Sequence, residues 1–229
     1  MIKRGDFAVE VIRSRRRTLT LMVREGAVCV RVPLRLPHAE IEAVITRKRN
    51  WIERKLAEHR LAPAPPERSF ISGEEIPYLG RNYRLEVALS DVASVRLMQE
   101  SLRVRAAADS LHREAVRAQL TDWYARQAEQ HLIRRCRDIG KLVGRTPKSV
   151  TVKHYRARWG SCSVSGDIRF NWEIIMAPPA VVDYLVAHEL CHLLEHNHSA
   201  AFWRLVEQAC PDYRRYRAWL KSHGRMLRL

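Results

Sequence analysis

Apolar and polar residues alternate with period two over Phe7 to Ile12 and Thr18 to Val23, and Ala27 to Val32 carries the pattern on to Pro33 and Pro37. A half-buried strand presents alternate side chains to the core, so these three segments predict a small antiparallel sheet. The period then lengthens. Ile41, Val44, Ile45, Trp51, Ile52 and Leu56 form one apolar stripe at helical spacing, which predicts a helix from about Ala39 to Arg60. Ala62-Pro63-Ala64-Pro65-Pro66 ends it, because proline has no amide donor, and reads as a stiff connector. Strand-like stretches return at about Ile76 to Tyr78, Asn82 to Ala88 and Ser94 to Arg105, separated by Gly80 and by Ser90-Asp91. A long helix from about Leu111 to Ile139 follows, with Leu120, Trp123, Tyr124, Ala128, Leu132 and Ile133 on its apolar side. No internal repeat and no low-complexity tract is visible.

In the last third, Ser149 to Tyr155 alternates as a strand and Asp167 to Trp172 reads as its hairpin partner after a turn at Ser165-Gly166. Trp159 and Trp172 are candidate core residues of this sheet, and His154 reads as an ordinary strand residue. Val181 to Ala187 then runs into Leu190, Leu193 and Leu194 at helical spacing, and Pro178 and Pro179 suit the first helical turn. This helix carries His188-Glu189-Leu190-Cys191-His192. Histidines four apart sit one turn above each other, so both imidazoles can close on one metal ion, and the glutamate beside the first can reach a water on that metal.

A catalytic zinc takes three protein ligands, so a third donor is required. Glu195, His196, His198 and Glu207 are the candidates. A rigid helix would carry His196 away from a metal held by the first two ligands. Asn197 is a suitable left-handed helix stop, after which His198 can swing back, and Ser199 can cap a following helix from Ala200 to Gln208. His198 is therefore favoured, with Glu207 as second choice. Donors for an oxyanion are sought among Tyr155, Arg156, Arg158, Tyr213 and Tyr216. The hairpin is a candidate shelf for an extended substrate. Cys191 between the ligands reads as a packing residue.

Arg158-Trp159-Gly160-Ser161-Cys162-Ser163, Phe170-Asn171-Trp172, Asp183-Tyr184 before the pentad, Asn197-His198-Ser199 with Phe202-Trp203, and Pro211-Asp212-Tyr213 together resemble the YgjP-like metallopeptidases. These are small bacterial and archaeal zincins similar to the SprT and Spartan proteases. The resemblance runs from about Lys148 to Gly224. It implies that His188, His192 and His198 bind Zn2+ and that Glu189 is catalytic. It also brings an alternative, a metal-dependent nucleoside triphosphate pyrophosphatase, which the lack of a glycine-rich phosphate loop disfavours, since the nearest small-residue cluster, Gly160-Ser161-Cys162-Ser163, is a weak match.

Composition narrows the rest. With 229 residues and 46% hydrophobic content the chain can build a sizeable core in one or two domains. No apolar run approaches the ~20 residues of a membrane span, and Met1 to Asp6 leads into no apolar signal segment, so a cytoplasmic protein without membrane partners is expected. Five cysteines with no CxxC pair give neither a disulfide framework nor a cysteine zinc knuckle. The net charge of +16 clusters at Arg13 with Arg15-Arg16-Arg17, Arg47-Lys48-Arg49, Arg134-Arg135 and Arg214-Arg215. It allows nucleic acid as a partner besides the protein or peptide substrate, and a basic nucleic-acid-binding protein with a structural zinc is the non-catalytic alternative. Glu189 discriminates, because a structural zinc needs no carboxylate beside it. The expectation is an α+β protein with a β-rich accessory region over 1–105 and a minimal zincin peptidase over 106–229.

Overall fold

A computed structural model describes residues 2–4, 7–24, 26–61, 66–107 and 112–229. The chain is α+β, and it divides into two compact units, Met1–Pro63 and Ala64–Leu229. The proline-rich connector lies, apart from Pro66, outside the described residues, as does the expected helix start at Leu111.

In the first unit, β1 (Ile2–Arg4), β2 (Phe7–Ser14), β3 (Thr20–Arg24) and β4 (Ala27–Pro33) form a sheet in the order β1-β2-β4-β3. It is mixed, not antiparallel as expected. β3 turns tightly into β4 through Gly26, at φ 79°, and β4 therefore returns parallel to β2, with Val9 opposite Val28. The expected single helix is two, α1 (His38–Arg47) and α2 (Arg49–Leu61). The break falls at Lys48, inside three consecutive cations that offer no apolar side chain to hold the turn against the sheet. Ile41, Ile45, Ile52 and Leu56 nevertheless reach one core with Phe7, Val9, Val28 and Val30. Arg13 is structural: its guanidinium donates to the carbonyls of Leu34 and Leu36, each at 2.8 Å.

The second unit begins with β5 (Glu75–Tyr78), β6 (Arg81–Leu89), β7 (Ser94–Leu97) and β8 (Ser101–Ala106). The expected strand from Ser94 to Arg105 is a hairpin of two, closed by the Met98 amide on the Ser101 carbonyl at 2.8 Å. The order β5-β6-β8-β7, with only β6 and β8 parallel, repeats the first sheet. β2, β3 and β4 start at 7, 20 and 27 and β6, β7 and β8 at 81, 94 and 101, a constant spacing of 74 residues. A helix follows each sheet. The chain thus contains a structural repeat that its residue identities conceal.

The helix after the second sheet is α3 (Arg113–Val143), whose Tyr124, Ala128, Leu132 and Cys136 are buried. Beyond it, β9 (Ser149–Lys153), β10 (Gly160–Cys162) and β11 (Asp167–Asn171) form a sheet in the order β10-β11-β9. The hairpin is β10–β11, turning at Gly166 with φ 86°; β9 and β11, expected to be the hairpin, pair in parallel. A 3-10 turn, Trp172–Met176, leads to α4 (Pro179–Cys191), then α5 (Ala200–Ala209) and α6 (Tyr213–His223). β5 to β8, grouped from the sequence with the amino-terminal strands, share one core with α3, α4 and β11 through Leu85, Leu102, Leu132, Phe170 and Val186. α4 is apolar nearly all round, burying Val181, Val182, Tyr184, Leu185, Val186, Ala187, Leu190 and Cys191, the mark of a core helix. A bidentate Arg135–Asp183 pair, at 2.6 and 2.9 Å, ties α3 to its first turns. No helix among the described residues is long and apolar enough to cross a membrane.

Candidate metal centre

α4 carries His188 and Glu189 into the core and ends at Cys191, so His192 is its carboxyl cap. The last turn tightens, with Leu193 and Leu194 amides bonded to the Leu190 and Cys191 carbonyls, each at 3.0 Å. The helix therefore stops well before Asn197, which is not left-handed as expected. His196 lies in this reversal and lines the cleft, but it is exposed and outside the converging set. Ser199 caps α5 as expected, its hydroxyl accepting the Phe202 amide at 3.2 Å. The return brings His198 over the end of α4.

The three imidazoles then converge. Ring centroids lie 5.0 Å apart for His188–His192, 5.0 Å for His188–His198 and 4.8 Å for His192–His198. One nitrogen from each lies within 4.8 Å of the others, and the Nε2 atoms of His188 and His198 stand 3.1 Å apart. Zinc–nitrogen bonds of 2.0–2.1 Å in a tetrahedron separate ligand atoms by about 3.3 Å, so this cluster is of the size a transition metal needs. Two of the three imidazoles are held toward the neutral form that a metal binds. Burial first, then the neighbouring histidines, pushes His188 down to about 3, and burial lowers His192. His192 Nδ1 faces the Glu195 carbonyl at 3.0 Å; a carbonyl can only accept, so Nδ1 carries the proton and Nε2 keeps its lone pair for a metal. His188 Nδ1 is buried without a hydrogen-bond partner among the described residues.

Glu189 is 4% exposed, and its Oε2 has no hydrogen-bond partner among the described residues. Burial pushes its carboxyl up to about 8, against the opposing charge of Arg158. Gly160 makes room for it. A Cβ at that position would collide with Glu189 Oε1 and stand 2.7 Å from Cδ. β10 is thus pressed against the carboxylate by the one residue type that allows it. The resulting cleft of about 230 Å³ is walled by β10 on one side and the histidines on the other.

Two supports complete the site, and only the second was not legible in the sequence. His198 is exposed, and its ring is held by Phe202 at 4.9 Å and by Trp203, tilted 28°, at 5.7 Å. Trp203 is in turn covered by Arg217 at 4.4 Å and stacked on Tyr213 at 5.3 Å. The segment entering β10 is fixed by Asn171, whose amide nitrogen donates to the Tyr155 carbonyl at 3.1 Å, and by the Glu173–Arg228 ion pair beside it. Of the suggested oxyanion donors, Tyr213 is buried under Trp203, while Arg158 is exposed and lies over Tyr155 at 5.6 Å. Glu207 pairs with Arg214 at 2.8 Å and Glu195 receives the Asn197 amide, so neither joins the cluster. Cys191 is buried, its thiol pushed up to about 12, and packs.

Among known families, the YgjP-like, metallopeptidase domain matches residues 17–223. A solved metallopeptidase zymogen, abylysin of Pyrococcus abyssi, aligns with 42% of this chain and 96% of its own at 19% identity, with a TM-score of 0.38. No curated protein matches the chain.

Proposed function

From its membership of the YgjP-like metallopeptidase family, to which the chain belongs, we propose that the protein hydrolyses peptide bonds at a zinc ion held by His188, His192 and His198, with Glu189 as general base. The observation that carries this reading is the meeting of three imidazoles with a buried carboxyl whose Oε2 has no hydrogen-bond partner among the described residues. A bound zinc supplies Lewis-acid chemistry, polarising the scissile carbonyl and acidifying water. The chain's own residues do the remainder. The Glu195 carbonyl fixes the tautomer of His192, and α4 shields His188 and Glu189 from bulk water. Glu189 accepts the proton of the attacking water at its carboxylate and passes it to the leaving amine. Histidine-only ligation together with this carboxylate favours a catalytic over a structural metal.

β10 is the natural substrate shelf. It is an edge strand, so the outward backbone groups of Gly160 to Cys162 are available to a peptide added as a further strand beside Glu189. Functionally, the peptidase resides in the second unit, with Met1–Pro63 as the accessory part. Elemental analysis of purified protein should find about one zinc per chain. Chelation should abolish cleavage of a peptide library, and zinc should restore it. Chelator-sensitive hydrolysis of nucleoside triphosphates with no peptide cleavage would overturn the peptidase reading.

A further inference from the structure

α3 ends at Gly144, left-handed at φ 71°, and the chain turns back close over the helix. Gly140 permits that approach: a Cβ there would stand 2.6 Å from the Arg145 carbonyl oxygen. Between the last turns of α3 and the start of β9 the return encloses a pocket of about 520 Å³. Arg137, Lys141, Arg145 and Lys148 line it, and no carboxylate does. None of the four forms an ion pair among the described residues, whereas Arg135, Arg103 and Arg214 each have an acid within 3.0 Å.

A helix end attracts cations, but its dipole is worth about half a charge, far less than four. The acid whose charge reaches Lys148 is Asp167, and the hydroxyls of Ser149 and Ser165 already occupy it at 2.7 and 2.6 Å. Ile133, Cys136, Pro147 and Val150 give the pocket an apolar lining between these cations. Four unpaired cations around an apolar lining match an anion that carries several charges on a flat, apolar body. The volume lies within the ~300–1,000 Å³ of small-molecule sites, whereas a nucleic-acid strand would leave the concave interior empty.

We propose that this pocket binds a polyphosphorylated small molecule of nucleotide size, its phosphates on Arg137, Lys141, Arg145 and Lys148 and its ring on the apolar lining. The site lies on α3 and β9, whereas the metal centre is built on α4 and β10, and the inference does not rest on the peptidase reading.

The probe is ATP, titrated calorimetrically into the zinc-loaded full chain at low salt without added magnesium. ATP should bind with micromolar to sub-millimolar Kd, more tightly than inorganic triphosphate. The Arg137→Gln/Lys141→Gln double variant, both exposed positions, should weaken binding at least tenfold, with circular dichroism and zinc content unchanged. His192→Ala, which disables the metal centre, should leave ATP binding in place. No ATP binding at millimolar concentration, binding that the double variant retains, or binding that only His192→Ala removes would each overturn the proposal. So would inorganic triphosphate matching ATP, or a single-stranded oligonucleotide outcompeting both.

Discussion

At the scale of single residues, Glu189 and Gly160 act as one device, and two substitutions separate its parts. Glu189→Gln keeps size and helix while removing the proton acceptor, so zinc content should stay near one per chain while peptide turnover falls by ~10²–10⁴. Equal turnover in wild type and variant would remove Glu189 from the mechanism. Gly160→Ala leaves the carboxylate in place chemically and displaces it physically, because the new methyl would overlap Oε1. A misplacement of about 1 Å can cost ~10²-fold, so kcat should drop by about that factor with metal retained. His198, the proposed third ligand, is the most exposed of the three histidines and stacks on its aromatic neighbours. Trp203→Ala should therefore weaken zinc binding by ~10–100-fold in a competition titration, with Trp203→Phe recovering part of the loss. Unchanged affinity in Trp203→Ala would show that the ring merely packs.

At the scale of elements, what the sequence reveals follows from how local each signal is. α4 was legible because its apolar run, its prolines and its paired histidines all coincide within one helix. Its end was not, since the turn after Cys191 is set by backbone bonds and by the His192–Glu195 contact, which no periodicity announces. Three residues are too few for alternation to register, so β10 was missed, and with it the true hairpin and the reason for Gly160. Parallel pairing of β2 with β4 and of β9 with β11 depends on topology beyond any local window. The duplicated sheets are concealed for a related reason. The two hairpins keep their internal pairing, yet Val9 faces Val28 while Leu85, not Tyr83, faces Leu102. That slip of two residues preserves which side chains point inward, so the alternation is kept although the residues at matched positions differ. Among ties between elements, Arg135–Asp183 is the clearest to test. Both side chains are 32% exposed, so Asp183→Ala should cost only about 1 kcal/mol and lower Tm by roughly 2–4 °C, with zinc content intact. A loss of zinc in that variant would mean the pair also sets the position of α4.

At the scale of the whole molecule, half of the net charge belongs to the smaller unit, whereas the proposed metal centre belongs to the larger. Residues 1–63 hold 15 Lys and Arg against 7 Asp and Glu, which is +8 of the total +16 in little more than a quarter of the chain. Some of that charge is structural, as with Arg13, but Arg15, Arg17, Arg31 and Arg35 are exposed. Every residue of the candidate metal centre, its cleft and its supports lies in Ala64–Leu229, which has its own core. A fragment of Ala64–Leu229 should therefore fold with a single cooperative transition, bind one zinc and keep its peptide turnover on short substrates within a few-fold. Its affinity for DNA or heparin should fall, and the slope of log affinity against log salt should become shallower, because fewer phosphate contacts release fewer counterions. A fragment that folds but loses zinc would show that the amino-terminal unit completes the site. One that keeps both zinc and the full salt slope would place the basic interface on the second unit instead, and leave the repeated sheet without an electrostatic role.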